Sequence, residues 1–513
     1  MMRRRTFLST TFKVAGGFAL APTLVRQDQS RPGIPFGVSS GDVTRDRAIV
    51  WSRTDRPARM LVEWSTTDTF QHVRRVRGPR TTDAAGYTAR VDLSGLPPGQ
   101  RIFYRVQFED LRDSRNISVP VAGSFLCSPR DTRDVTFAWS ADTVGQGWGI
   151  NTEWGGLRMY ETMRRARPDF FIHTGDTIYA DNPVLPEVKL ADGTVWKNIV
   201  TPAKSKVAET LDEYRGNYTY NLLDENMRRF NAEIPQVWLW DDHEVRNNWH
   251  PGMSLDADAR YTEKNPNVLI ANARRAFLEH APIRLSQHAT PPIYRSCSYG
   301  PLLDVFAIDL RTYRGPNTAN RQTLPGADAV HAGAAQLAWL KRALRASNAT
   351  WKVIASDLPI GLIVRDGATA FEGIANAEPG APLGRELEIA DLLSFLKRER
   401  IRNVVWVTGD VHYAAAHYYD PQRARFTDFD PFWEFVGGPL HAGTFGPNEL
   451  DATFGPEVRF ASVPPGSPGG RPPSDGLQFF GFSRISGKTK VMTMELRNLA
   501  GETIYTVDLE PVF

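Results

Sequence analysis

The sequence predicts a small all-β unit of immunoglobulin or fibronectin type followed by one large α/β unit. Three observations carry that reading. Between Gly33 and Pro129, short alternating apolar runs are separated by Gly and Pro, the period-two pattern of half-buried strands. Beyond Asp131, unbroken apolar runs alternate with amphipathic stretches of helical spacing, the pattern of a buried sheet covered by helices. From Leu477 the strand-like runs return, split by Gly487 and Gly501, which suits a closing meander.

Taken in order, the chain starts with a segment of targeting form. Arg3-Arg4-Arg5-Thr6-Phe7-Leu8 precedes an apolar stretch from Phe12 to Val25, interrupted by Lys13, Pro22 and Thr23, too short to span a bilayer as a helix. Arg4-Arg5-Thr6-Phe7-Leu8 resembles the twin-arginine export pattern. Residues 1–30 are therefore expected to be a twin-arginine signal that engages the export machinery and delivers a periplasmic or secreted protein. A membrane anchor is the alternative, and Pro22 after Ala19-Leu20-Ala21 leaves the cleavage point open.

Residues 31–130 form the expected β-sandwich domain. Its strands fall at 47–53, 59–65, 87–93 and 101–108, with a turn at Leu96-Pro97-Pro98-Gly99, residues that favour the pleat and the bend respectively. Arg74, Arg75, Arg77 and Arg80 read as a solvated face, with anion binding as the alternative. Residues 131–513 form the α/β unit. Apolar strands are expected at 135–139, 170–172, 237–240, 305–308, 351–355 and 404–407. Helices are expected near 157–166, 268–278, 335–346 and 387–398, and residues 463–473 form a Pro-Gly-Ser loop.

Composition narrows the function. Of 513 residues 41% are hydrophobic and 23% charged, which excludes a disordered chain and a multi-span membrane protein. The 61 basic residues nearly cancel the 58 acidic ones, leaving +3, too little for specific nucleic-acid binding through phosphate neutralisation. Two cysteines, Cys127 and Cys297, allow one disulfide or none, and exclude a sulfur-held metal cluster.

The chemistry gathers where apolar runs end, the expected place for a site in an open α/β sheet. Asp142 follows the first run, and His173-Thr174-Gly175-Asp176-Thr177-Ile178-Tyr179 overlaps the end of the second. Asp241-Asp242-His243-Glu244 and Asn247-Asn248 follow the third, and Thr408-Gly409-Asp410-Val411-His412 the last. One such Asp is an ordinary cap or turn residue. Four ends rich in Asp, His, Asn and Tyr are costly to bury together unless cations compensate. Asp and Asn oxygens suit hard ions, and a Tyr phenolate suits a ferric centre. Gly175 and Gly409 allow sharp turns and close approach.

These blocks resemble the PhoD-like alkaline phosphatases, members of the calcineurin-like metallophosphoesterase superfamily. Ile308-Asp309-Leu310-Arg311-Thr312-Tyr313-Arg314, Ser356-Asp357-Leu358-Pro359 and Gly437-Gly438-Pro439-Leu440 extend the resemblance along nearly the whole chain. It implies a two-layer β-sandwich metallophosphoesterase core flanked by helices. It also implies a metal-dependent hydrolase of phosphate monoesters and diesters in which a metal-activated water attacks in line. Calcium and ferric iron are the implied ions, with zinc, manganese or magnesium as alternatives. Asp176 would bridge metals, Tyr179 would ligate iron, and Asn247 and His412 would ligate calcium or touch phosphate. Asp142, Asp242 and Asp410 complete the implied metal set, and His243 faces phosphate. Iron-type members carry a cysteine after the first strand, and here Asp142 is the nearest ligand, a harder donor.

From the residues themselves, Arg314 or Arg311 could brace the phosphate bidentately, or serve a structural salt bridge instead. Asp142 and Asp410 could stand behind the ligands, and His173 reads as a core residue. His441 is open between the site and its loop. Trp148, Tyr160 and Trp249 are candidates for the cleft or, more commonly, the core. Phospholipids or nucleotide diesters are further substrate candidates. The alternatives to a phosphatase are a phospholipase-D-like diesterase, which would need an apolar rim, and a non-catalytic surface-binding protein with a vestigial metal site.

Overall fold

The computed structural model describes residues 31–286 and 290–513, so the signal expected at 1–30 lies outside the described residues. Seven strands come first: β1 (Val38–Gly41), β2 (Arg47–Arg53), β3 (Ala58–Ser65), β4 (Arg74–Thr81), β5 (Thr88–Ser94), β6 (Arg101–Asp110) and β7 (Val121–Leu126). Alternation decides their faces: along β3, Ala58, Met60, Val62 and Trp64 are buried while the residues between them are partly exposed. One layer runs β4-β3-β6-β7, and β1, β2 and β5 face it. Met60, Val62, Tyr104, Phe108 and Phe125 fill the space between. Arg75 and Arg77 lie on exposed β4 and pair across the sheet with Glu63 (2.6 Å) and Glu109 (2.7 Å), a solvated face.

The second layer of this sandwich does not end at its own edge. β1 pairs in parallel with a strand of the large unit, Gly41 opposite Gln236, and the Asp42 amide donates to the Gln236 carbonyl at 3.2 Å. The join satisfies backbone groups that a free edge would leave open.

The large unit continues with β8 (Val135–Ser140), β9 (Phe170–His173), the hairpin β10 (Glu187–Lys189) and β11 (Val195–Lys197), and β12 (Gln236–Trp238). Next come β13 (Arg295–Ser298), β14 (Leu303–Ala307), β15 (Trp351–Ala355) and the hairpin β16 (Arg365–Asp366) and β17 (Ala370–Phe371). The last are β18 (Val404–Thr408), β19 (Ala415–Tyr419), β20 (Phe432–Val436), β21 (Pro456–Ala461), β22 (Phe479–Ile485), β23 (Met492–Asn498) and β24 (Thr503–Leu509). Helices are α1 (Arg158–Ala166), α2 (Leu211–Asn221), α3 (Glu225–Glu233), α4 (Pro266–His280), α5 (Ala334–Ala346) and α6 (Glu386–Arg398).

These strands form two sheets, the two-layer core that the resemblance implied, where the apolar runs alone pointed only to a buried sheet. Nine strands run β24-β23-β22-β8-β9-β12-β1-β2-β5, and seven run β13-β14-β15-β18-β20-β19-β21. The sheets pack face to face: Val135, Phe137, Trp139, Phe170 and Ile172 meet Val305, Val353, Val405 and Val407 in one core. The next residues along the same strands, Ala138 and Phe171, point the other way, under Met159 and Met163 of α1 and Phe230 of α3. Burial on both faces is why these runs are apolar without alternation. On the far sheet, Phe306, Ile354 and Trp406 meet Leu340 of α5 and Leu393 of α6. The result is two sheets between helical layers, with the closing meander β22–β24 added antiparallel to β8.

Cys127 and Cys297 are both buried, unbridged thiols. They sit in separate cores, Cys127 in the N-terminal sandwich and Cys297 between the two large sheets. Among the described residues, no helix is long and apolar enough to cross a membrane.

Candidate metal centre

The sandwich brings the carboxyl ends of strands from both sheets to one place. β8, β9 and β12 deliver Asp142, Asp176 and Asp242 from one sheet, and β18 delivers Asp410 and His412 from the other. The backbone bends sharply there: Asp142 (φ 68°), Asp176 (φ 55°), Asp410 (φ 69°) and His412 (φ 61°) all adopt left-handed conformations. Such residues carry strain of order 1–3 kcal/mol each and cluster at functional sites. The two motif glycines answer different needs. Gly175 has φ 120° and a Cβ there would fall 2.4 Å from the Asp241 Cβ, while one on Gly409 would fall 2.5 Å from the Ala141 Cβ.

Three overlapping sets of ligand atoms result, each within 4.8 Å: Asp142, Asp176 and His412; Asp176, Asp242 and His243; Asp241, Asp242 and Asp410. Asp176 belongs to two of them, the position a bridging ligand needs. The Tyr179 hydroxyl lies 2.9 Å from His412 Nε2, and Asn247 lines the open cavity of about 470 Å³ above the acids. The donors present fit hard cations. Both oxygens of Asp142, Oδ1 of Asp242 and Oδ2 of Asp241 are buried without a hydrogen-bond partner, an arrangement that is costly unless a cation takes the lone pairs.

The electrostatics agree. Burial first, then the neighbouring acids, push the carboxyls of Asp142, Asp176 and Asp410 well above the usual range. Burial and then Asp176 and Asp142 likewise raise the Tyr179 phenol. A bound cation inverts that logic and favours the ionised forms. Burial lowers His412 to about 4, leaving a neutral imidazole able to ligate. Burial opposes charge on His243, but Asp181 and Asp242 outweigh it and raise its pKa.

Residues that the sequence did not single out hold this set in place. Asp181 is fully buried, its Oδ1 2.6 Å from His243 Nδ1, and its Oδ2 accepts from the Asn247 amide at 3.0 Å. Its signal was its position, two residues beyond Tyr179. Glu244 accepts from the Thr177 amide (2.6 Å) and the Asp241 amide (2.8 Å), tying two motif loops together. Arg311 is completely buried and reaches Asp241 (2.5 Å), Asp357 (3.0 Å), Glu372 and Asp410 (3.5 Å). It therefore braces acids rather than substrate. Arg314, expected to face phosphate, is buried behind the cavity and does not line it. Its Nη2 donates to Asn317 Oδ1 (2.7 Å) and the Glu372 carbonyl (2.5 Å), so the salt-bridge alternative gives way to hydrogen bonds with a neighbouring loop.

The remaining candidates pack. His173 Nε2 lies 3.0 Å from the Thr143 hydroxyl in the core. His441 Nε2 lies 3.1 Å from the Gly149 carbonyl, joining two loops. Tyr160, Trp249 and Trp148 are all buried, the last against Trp196. Gln146, Asn248, Arg365, Glu372, Phe445 and Asn448 complete much of the cavity wall.

Against known proteins, the PhoD-like phosphatase family model matches residues 137–496, and the PhoD-like phosphatase N-terminal domain matches residues 19–128. Alkaline phosphatase D of Bacillus subtilis (strain 168) is 26% identical over 480 residues, covering 86% of this chain and 76% of that protein. The solved structure of PhoD aligns with a TM-score of 0.67 at 20% identity, over 93% of this chain and 89% of that one. Purple acid phosphatase PPD1 from yellow lupin (Lupinus luteus) seeds aligns with a TM-score of 0.56 at 11% identity, over 94% and 74% of the two chains. At these identities the two structures speak for the metallophosphoesterase-type fold. With the family model spanning most of its length, the chain belongs to the PhoD-like phosphatases.

Proposed function

We propose that the protein is a metal-dependent phosphoric ester hydrolase, an alkaline phosphatase acting on phosphate monoesters and diesters. The observation that carries this is the orphaned Asp142 carboxylate in one of three overlapping ligand sets, whose members Asp176, Asp242, Asp410 and His412 line an open cavity. When bound there, cations neutralise phosphate charge, align the ester and lower the pKa of a water for in-line attack. The chain's own residues divide the remaining work. Asp176 is shared between two ligand sets, with Asp142 and His412 in one and Asp242 and His243 in the other; Tyr179 would join the first, and Asn247 and Asp410 would serve the Asp242 side. Asp181 fixes His243 through Nδ1, leaving Nε2 to meet a phosphate oxygen or the leaving group.

Calcium and ferric iron suit the donors best. Carboxylate and amide oxygens favour calcium, and the Tyr179 phenolate favours ferric iron. Zinc, manganese and magnesium are the competing ions. The rim supports a small polar phosphoester over a phospholipid: Val364, Val411 and Phe445 are the apolar side chains lining a cavity otherwise walled by polar groups, short of the apolar patch a lipid needs. The twin arginines Arg4-Arg5 support export to the periplasm or beyond through the twin-arginine machinery.

The test is hydrolysis of p-nitrophenyl phosphate and its bis ester before and after chelation. Activity is expected to vanish and to return with added metal, and turnover that survives complete metal removal would overturn the reading. Ferric-loaded protein is expected to absorb in the visible, and Tyr179→Phe to abolish the band; a band unchanged in that variant would remove Tyr179 from the iron.

A further inference from the structure

We propose that Arg365 selects phosphoesters that carry a second anionic group beyond the scissile phosphate, a specificity that rests on the phosphatase reading above. Arg365 is the only lysine or arginine among the described residues lining the cavity. Apart from His243, the floor is acidic. Asp176, Asp242, Glu372 and Asp410 all line it, and bound cations would be taken up by these acids and the scissile phosphate. His243 also lines the cavity but is taken up by the scissile phosphate in the reading above, so a further anionic group on the substrate would meet a free favourable charge at Arg365.

The arginine is held in place while its charge stays available. It sits in the β16–β17 hairpin, with Arg365 opposite Phe371 and Asp366 opposite Ala370, and its guanidinium rests 5.2 Å from the Phe371 ring centre. The next residue anchors the hairpin to the site: Asp366 Oδ1 accepts from Asn248 Nδ2 at 2.9 Å, and Oδ2 from Asn317 Nδ2 at 2.8 Å. Asn248 belongs to the Asp-Asp-His-Glu block's own loop, so the hairpin is tied to the loop that carries the ligands. The ion pair of Arg365 is loose. Glu449 Oε2 lies 3.7 Å away, with the two side chains 50% and 79% exposed, longer than a hydrogen bond and worth little in water. A planar guanidinium so placed suits a carboxylate or a second phosphate in bidentate fashion.

The probes are two non-hydrolysable phosphonates that differ only in the distal charge, phenylphosphonate and 4-carboxyphenylphosphonate. Calorimetry on the metal-loaded full chain reads the ratio of their dissociation constants. Wild-type protein is expected to prefer the carboxylated probe, and Arg365→Gln to reduce that preference by about threefold to fivefold, the size of a half-exposed ion pair. Arg365→Lys keeps the charge and is expected to retain a preference, which falls as salt is raised. An equal ratio in wild type and Arg365→Gln would overturn the proposal. Because the probes are not substrates, the two claims separate: preference without turnover counts against hydrolysis alone, and turnover without preference counts against Arg365 alone.

Discussion

Replacing Arg311 by Met tests the claim that one buried guanidinium makes the acidic floor foldable. Arg311 is completely buried and contacts Asp241, Asp357, Glu372 and Asp410, so Met leaves an apolar stem of similar reach beside stranded carboxylates. Removing one partner of a buried charge network costs about 3–5 kcal/mol. For a chain this large, with a urea slope of roughly 3 kcal/mol/M or more, that is a midpoint shift of about 1 M. The deficit has a pH signature. Burial already raises Asp241, Asp357 and Glu372, and Arg311 pulls all three back down. Without it their folded-state pKa values rise further, the native state binds more protons than the unfolded chain, and stability recovers as pH falls. Urea titrations followed by tryptophan fluorescence in metal-free protein should therefore show a larger deficit at pH 8 than at pH 5.5. Adding Asp241→Asn to the variant should return part of the loss. A deficit under about 1 kcal/mol, or one equal at both pH values, would refute the reasoning.

Asp142→Asn should weaken metal binding by roughly tenfold or more and raise the unfolding midpoint of metal-free protein at neutral pH, because burial raises the Asp142 carboxyl and a neutral amide avoids the cost of forcing proton uptake on folding; unchanged values for both would remove Asp142 from the centre. Asp181→Asn should lower kcat by roughly 10- to 100-fold with metal content retained, since it releases His243 Nδ1; a kcat within twofold of wild type would make Asp181 structural only. Glu386 lies away from the metal centre and is pushed up to about 8, first by burial and then by Asp451. A raised carboxyl contributes stability that is present below its unfolded pKa and is lost as pH climbs through 8. Wild type should thus lose on the order of 3 kcal/mol between pH 5 and pH 9 through this group. Glu386→Gln should flatten that slope in thermal melts, and parallel slopes would count against it.

Much of the site was legible because it is local. A strand followed at once by Gly-Asp or Asp-Asp-His is written in consecutive residues, and so Asp142, Asp176, Asp242, His243, Asp410 and His412 could be named together. Four helices were legible from aliphatic stripes such as Leu337, Leu340 and Leu344 on α5. α2 was not: its buried face is Tyr214, Asn217, Tyr218, Tyr220 and Asn221, which shows no aliphatic period. Its start was nonetheless encoded, in the Thr210–Glu213 capping box. The roles of Arg311 and Arg314 were not legible either. Both stand near a strand end in the same motif, and only their partners, 46 to 99 residues away in Arg311's ion pairs, show that they brace the site from behind.

The sequence by itself determined the kinds of atoms available, hard oxygens with a few imidazoles and no thiolate, and the strand ends that carry them. Backbone propensity and burial of apolar runs are enough for that, since both act over a few neighbouring residues. The tertiary structure decided which strand ends each sheet supplies, that the N-terminal sandwich shares one of the sheets, and that Asp181, Glu244 and Arg311 hold the ligands. Those outcomes depend on which distant side chains meet in a dry interior, where an unpartnered charge is too costly to leave alone, and no local pattern records the meeting.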